Sequence, residues 1–204
     1  GIGQVTANVI RELSRRDAYT IGGKTYSAQE VRFLLYVDDA SDIDRSISGN
    51  AAWQDLSSDS NEAASAGRVL REVSMMYRRD DLVRKWIFER LALPRTARRD
   101  RLDAFVSLYQ SASIFSRFSG VEHVMVVHDI IPELFSGYRE TWSKWLSWES
   151  VKTGIRHADT LVTVSTQTEK DIANHLRIGA DRIRTAPIDV DPLYAQPMSP
   201  ERLR

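Results

Sequence analysis

The sequence predicts an α/β domain built on a doubly wound, mainly parallel sheet. Five short runs read as buried strands, and three of them are nearly continuous in apolar β-formers, the pattern of a parallel sheet covered on both faces. Helical stretches fall between the runs, and strands alternating with helices make right-handed βαβ units in an open sheet. The chain has 204 residues, 42% hydrophobic and 27% charged. Those are ordinary values for a globular domain long enough to bury its own core.

The first helix is expected over residues 2–16, where Ile2, Val5, Val9 and Leu13 share one face and Arg15 and Arg16 complement the dipole in the last turn. Strands are expected at 31–37 (VRFLLYV), 104–109 (AFVSLY), 123–127 (HVMVV), 160–164 (TLVTV) and 182–188 (RIRTAPI). Residues 38–60 are rich in Ser, Asp and Gly and read as a long loop. Helices are expected over 61–78 and 141–157. Thr166 opens a capping box, T-Q-T-E, with Glu169 at its third helical position. That helix should run to about Arg177, with Gly179 just past its end.

Residues 1–186 read as one domain whose first strand is missing, because the Gly-rich turn at Gly1 normally follows a central strand. Residues 187–204 carry four of the six prolines and read as a linker toward a further domain.

Lys and Arg total 28 and so do Asp and Glu, so net charge gives no pull toward nucleic acid. The chain has no cysteine, which excludes disulfides and thiolate metal sites and favours a cytoplasmic, reducing setting. No apolar run approaches the roughly 18 residues that span a bilayer. Residues 78–101 hold nine basic and four acidic side chains, net +5, together with Trp86, Ile87 and Leu91. Two readings stay open there: a solvated helix with a core-facing stripe, or a patch for a membrane surface or an anionic acceptor.

Three segments offer chemistry. Gly1 and Gly3, in G-I-G-Q, precede a helix; glycines allow close backbone approach, and a helix start offers free N–H groups. A dinucleotide fingerprint would need a third glycine where Thr6 stands. In V-M-V-V-H-D-I-I-P, residues 124–132, an apolar strand runs into His128 and Asp129, where open α/β sheets bind ligands. Imidazole exchanges protons near neutrality and a carboxylate binds hydroxyls, but a strand-end His satisfied by a carbonyl, with Asp129 capping a turn, fits the same residues. In T-L-V-T-V-S-T-Q-T-E, residues 160–169, Ser165 and Thr166 stand at a second strand-to-helix switch, either as cap or as lining of the same cleft. Trp142, Trp145 and Trp148 read chiefly as packing residues of one helix, with sugar stacking as the lesser reading.

These blocks, with R-H-A-D-T-L-V-T-V-S-T-Q-T-E-K-D-I and R-I-R-T-A-P-I-D-V-D-P-L-Y, resemble the N-terminal, Rossmann-like half of GT-B glycosyltransferases of the family 4 type. The closest likeness covers residues 121–194. The resemblance implies a two-domain enzyme in bacterial polysaccharide or glycolipid synthesis. It would move a sugar from a nucleotide-sugar donor to a glycan or lipid-linked acceptor, with retention, no cofactor and no metal. It would work in the cytoplasm, at times at the inner membrane face. The resemblance also implies roles: His128 contacts the donor sugar as the catalytic residue. Gly1, Gly3 and Gln4 lie by the donor phosphate or the acceptor, and Asp129, Ser165 and Thr166 line the cleft. The donor would be held mostly by the other half, so these residues alone are expected to be inactive. The competing reading is a non-catalytic α/β domain that only recognises a glycan or a protein partner. A nucleotide-dependent oxidoreductase is disfavoured, because Asp38 lies too far beyond the glycines to bind a ribose.

Overall fold

The computed structural model describes residues 8–10, 12–13, 16–37, 53–56, 68–72, 82–115 and 121–187. Residues 8–10 and 12–13 are helical, inside the expected first helix. An antiparallel hairpin follows, β1 (Ala18–Ile21) and β2 (Lys24–Ser27), with Ile21 opposite Lys24. Gly22 and Gly23 form its two-residue turn at φ of 58° and 80°. Two successive positive φ angles suit the right-handed twist of a hairpin, and only glycine takes both without strain.

Two parallel sheets make up the rest. The first has the order β3 (Phe33–Val37), β5 (Arg68–Glu72), β4 (Trp53–Leu56). The second runs β6 (Ala104–Ser107), β7 (Glu122–Val127), β8 (Thr160–Thr163), β9 (Ile183–Thr185), all parallel. The sheets meet through side chains: the Tyr36 hydroxyl donates to Asp100 at 2.6 Å, and its ring lies 5.9 Å from that of Phe105. Parallel neighbours need crossovers. Between β6 and β7 the crossover includes residues 108–115. Between β7 and β8 it contains α3 (Ile131–Leu134), a 3-10 turn at Ser136–Arg139, and α4 (Trp142–His157). Between β8 and β9 it contains α5 (Thr166–Asp171), which continues as a π-turn at Ile172–Leu176. Ahead of β6, α1 (Leu82–Ile87) passes through a π-turn at Phe88–Ala92 into α2 (Leu93–Arg99).

The mainly parallel α/β prediction therefore holds, and so do the five expected strands, four with ends trimmed by one to three residues and the one at 123–127 begun a residue earlier, at Glu122. Elsewhere the expectations need correcting. Residues 68–72 form a strand within the expected helix 61–78, and residues 53–56 form one within the expected loop 38–60. Val69 and Leu70, flanked by arginines, suit either a helical face or a buried strand, and pairing with β3 and β4 decides for the strand. The last helix is capped at its start by Ser165, not Thr166. At its end the left-handed residue is Arg177 (φ 55°), while Gly179 has φ −64°. Of the three α4 tryptophans only Trp148 is buried; Trp142 is 74% exposed and stacks on Trp145 at 4.8 Å. The expected domain limit at 186 and the linker lie almost wholly outside the described residues.

Alternate residues of β7 go inward: His123, Met125 and Val127 are fully buried. Met125 and Val127 join Leu161, Ile183, Ile155, Trp148 and Ile172 in the main core. At about 25 cal/mol per Å2 of apolar surface, each such side chain contributes roughly 1.5–3 kcal/mol. A second cluster of Leu93, Ala97, Phe115 and Val121 holds α2 to the sheet. Trp86 and Leu91, by contrast, stay exposed at 41% and 39%, so the core-facing stripe of the basic segment is not the one those residues mark.

His123 is a polar group in this core. Its Nε2 bonds Ser107 Oγ at 2.8 Å, and its ring stands edge-on to Phe115. Burial opposes the imidazolium and lowers its pKa from 6.5 to about 4, with the charge of Asp159 partly offsetting the effect. A histidine depressed in the fold contributes stability that is complete above its unfolded pKa and is lost as pH falls toward the folded one. Between pH 7 and pH 5 this group should remove about 2 kcal/mol of unfolding free energy. Denaturant titrations at the two pH values check this, and the slope should flatten by that amount in His123→Gln. An unchanged slope in the variant would refute the assignment.

Candidate active site at the carboxyl end of β7

The chain leaves the sheet at Val127 and turns. His128 and Asp129 sit in that turn, half-buried, ahead of α3. Three of their backbone groups are met by side chains. The His128 N–H donates to Gln110 Oε1 at 3.3 Å, and the Gln110 amide nitrogen donates to the Asp129 carbonyl at 3.3 Å. The His128 carbonyl accepts from Thr168 Oγ1 at 3.0 Å. Asp129 Oδ1 accepts from the Ile131 N–H at 3.0 Å, so this carboxylate caps the turn into α3.

The His128 ring is set by a second bond, Nε2 to the Leu108 carbonyl at 3.1 Å. A carbonyl can only accept, so Nε2 carries the hydrogen. When the ring is neutral its lone pair then lies on Nδ1, and the only ring hydrogen bond of His128 among the described residues is the one at Nε2. The arrangement provides one acceptor nitrogen, fixed in direction, at the carboxyl edge of a parallel sheet, the edge where open α/β sheets generally take ligands.

Ser165 belongs to the same network. Its Oγ accepts the Thr168 N–H at 3.1 Å and lies 3.0 Å from Thr168 Oγ1. The single Thr168 hydroxyl proton goes to the His128 carbonyl, so Ser165 donates to Thr168. Ser165 is thus committed to capping and reaches His128 only through Thr168. Thr166 is exposed at the first position of α5. Glu169 takes the Thr185 hydroxyl at 2.5 Å instead of closing a box on Thr166. The structure brings together His128, Asp129 and Ser165; Gly1, Gly3 and Gln4 lie outside the described residues.

Three groups of residues in this site escape a reading of the sequence. Gln110 lies in no motif, and Thr168 lies in T-Q-T-E but with no role assigned to it there, since their partners are 18 and 40 residues away. Glu133 is the third. Burial pushes its carboxyl up, but hydrogen bonds from Trp148 and Lys152 and the charges of Lys152 and Arg139 together hold it below the usual range. Trp148 Nε1 donates to it at 2.6 Å and Lys152 Nζ lies 3.2 Å away, so α3 is tied to α4 beneath the His128 turn.

The loop after β6 is gripped in turn. Buried Glu89, in the π-turn, accepts the Ala112 N–H at 2.8 Å and the Tyr109 hydroxyl at 3.1 Å. Arg90 donates to the Ala112 carbonyl at 2.7 Å. These two neighbours in the π-turn thus hold both backbone groups of Ala112. From the other side Gly154 of α4 lies against the loop, and a Cβ there would overlap the Ser111 carbonyl oxygen. Gly154→Ala should therefore cost about 1–3 kcal/mol in chemical denaturation, the usual penalty for forcing packed backbone apart. Wild-type stability in that variant would contradict this close approach.

No helix among the described residues is long and apolar enough to cross a membrane, and no group of three or more His, Asp and Glu among them is placed to hold a metal ion. Compared with known proteins, the chain matches no curated sequence. Residues 53–192, about two thirds of its length and including β4–β9 and the whole His128 turn, match the family model described as Glycosyltransferase Family 4. That match, over a parallel α/β fold, makes this chain a member of Glycosyltransferase Family 4.

Proposed function

We propose that this domain forms one wall of a sugar-transfer site in which His128 holds the donor sugar. The donor is a nucleotide-sugar and the acceptor a glycan or a lipid-linked glycan, in bacterial polysaccharide or glycolipid synthesis in the cytoplasm. Transfer proceeds with retention and without a metal or other cofactor. The observation that carries the reading is the His128 ring, oriented by the Leu108 carbonyl with Nδ1 as an open acceptor. A sugar hydroxyl matches that group: it donates one hydrogen bond and then lies in fixed register with the reacting carbon.

Breaking the donor bond develops positive charge at the anomeric carbon and negative charge on the leaving diphosphate. Positioning and electrostatic stabilisation dominate such a step. In this reading Asp129 shapes the turn, Ser165 and Thr166 line the cleft beside it, and Gly1, Gly3 and Gln4 approach the donor phosphate or the acceptor. The basic segment 78–101 supplies contact with a membrane surface, using exposed Trp86 and Leu91 together with Lys85, Arg95 and Arg98. The diphosphate is stabilised by another domain.

Two outcomes test this. In the complete enzyme, His128→Ala should lower sugar transfer by roughly 100-fold or more, read as nucleoside diphosphate released across a panel of uridine- and guanosine-diphosphate sugars. Circular dichroism should stay unchanged. Near-normal turnover would return His128 to a turn residue. Separately, residues 1–204 alone should show no transfer in the same assay, and turnover by them would overturn the division of labour.

A further inference from the structure

We propose that Gln110 is a positioning residue for His128. It would fix the angle at which the imidazole meets the donor sugar, and in that respect the proposal rests on the reading of His128 given above. The side chain spans two consecutive residues of the turn, accepting from the His128 N–H and donating to the Asp129 carbonyl, each at 3.3 Å. A backbone N–H only donates and a carbonyl only accepts, so the amide orientation is determined by its partners. A side-chain amide carries a donor and an acceptor on one uncharged planar group, and of the two amide residues Asn is one methylene shorter.

The same loop supplies the Leu108 carbonyl that holds the ring. Residues 108 and 110 therefore control both the backbone and the imidazole of His128. The loop is itself anchored by Glu89 and Arg90 at Ala112 and by Glu89 at Tyr109. A shift in the 110 bracket would rotate the 128–129 peptide and swing the ring about its carbonyl contact. Misplacement of a contacting group by about 1 Å costs up to roughly 100-fold in rate.

The test compares Gln110→Met, which keeps the length and loses both bonds, with Gln110→Glu, which keeps the acceptor for the His128 N–H. In the complete enzyme, Gln110→Met should lower kcat by roughly 10- to 100-fold while donor KM stays within about threefold. In nuclear magnetic resonance of the wild type, the His128 amide and its ring Nε2–H should be protected from solvent exchange. Both protections should be lost in Gln110→Met. Gln110→Glu should restore amide protection and part of kcat. A lowered Tm with ring protection and kcat unchanged would reduce Gln110 to a structural residue and overturn the proposal. The exchange measurement needs no turnover. If His128→Ala retains transfer, the sugar-contact reading fails alone, and exchange still decides whether Gln110 sets the ring.

Discussion

A strand that ends in a parallel sheet leaves backbone donors and acceptors with nothing beside them, and a half-buried turn cannot leave these to bulk water. That constraint shapes the His128 turn. Four groups, the N–H of His128 and of Ile131 and the carbonyls of His128 and Asp129, have no ladder partner. They are met by Gln110 twice, by Thr168, and by the side chain of Asp129. Leaving any one unmet would cost about 1–3 kcal/mol of desolvation. The partners come from the loop after β6 and from the start of α5, so satisfying the turn also fixes three crossovers relative to one another.

The surrounding packing follows from holding those partners in place. The loop after β6 has no secondary structure of its own, and its peptide at Ala112 is gripped by Glu89 and Arg90. Gly154 lets α4 press against it from the other side. On the far side of the turn, α3 is too short to be stable alone. It is held by the Glu133 carboxylate, whose bonds from Trp148 and Lys152 outweigh the cost of its burial. Trp148 takes part twice, its ring in the main core and its N–H on Glu133, which explains why it alone of the three α4 tryptophans is buried.

The second sheet was legible because its strands are locally unambiguous: β7 and β8 are apolar, β-branched and bounded by polar turns. The strands β4 and β5 were not, because W-Q-D-L and R-V-L-R-E are short and carry charge at positions a helix also tolerates. Their state is decided by pairing: β5 with β3, more than thirty residues earlier, and β4 with β5. The hairpin signal, I-G-G-K between Tyr and Thr residues, was present and is a turn chemistry that sequence can specify. At the site, His128, Asp129 and Ser165 could be picked out because strand ends and helix starts are where sheets bind ligands. Their roles separate only in three dimensions. Both side chains of the pair touch backbone, but Asp129 serves as a cap while His128 keeps one nitrogen unclaimed. Gln110, Thr168 and Glu133 act on partners far along the chain, and periodicity cannot reveal such contacts.

The division between His128 and Asp129 also limits what chemistry the turn can do. A carboxylate bonded to its own helix start is held in place for geometry and is poorly placed to take a proton from a ligand. An imidazole whose Nε2–H is given to a carbonyl can accept one hydrogen bond at Nδ1 without changing charge. It cannot relay a proton through the ring to Asp129, because the other nitrogen faces Leu108. In the proposed reading the turn orients a hydroxyl-bearing ligand and does not run acid–base chemistry across a His–Asp pair. Such a site fits a reaction whose barrier falls mainly through placement and charge stabilisation, as expected for transfer of a sugar from a diphosphate leaving group.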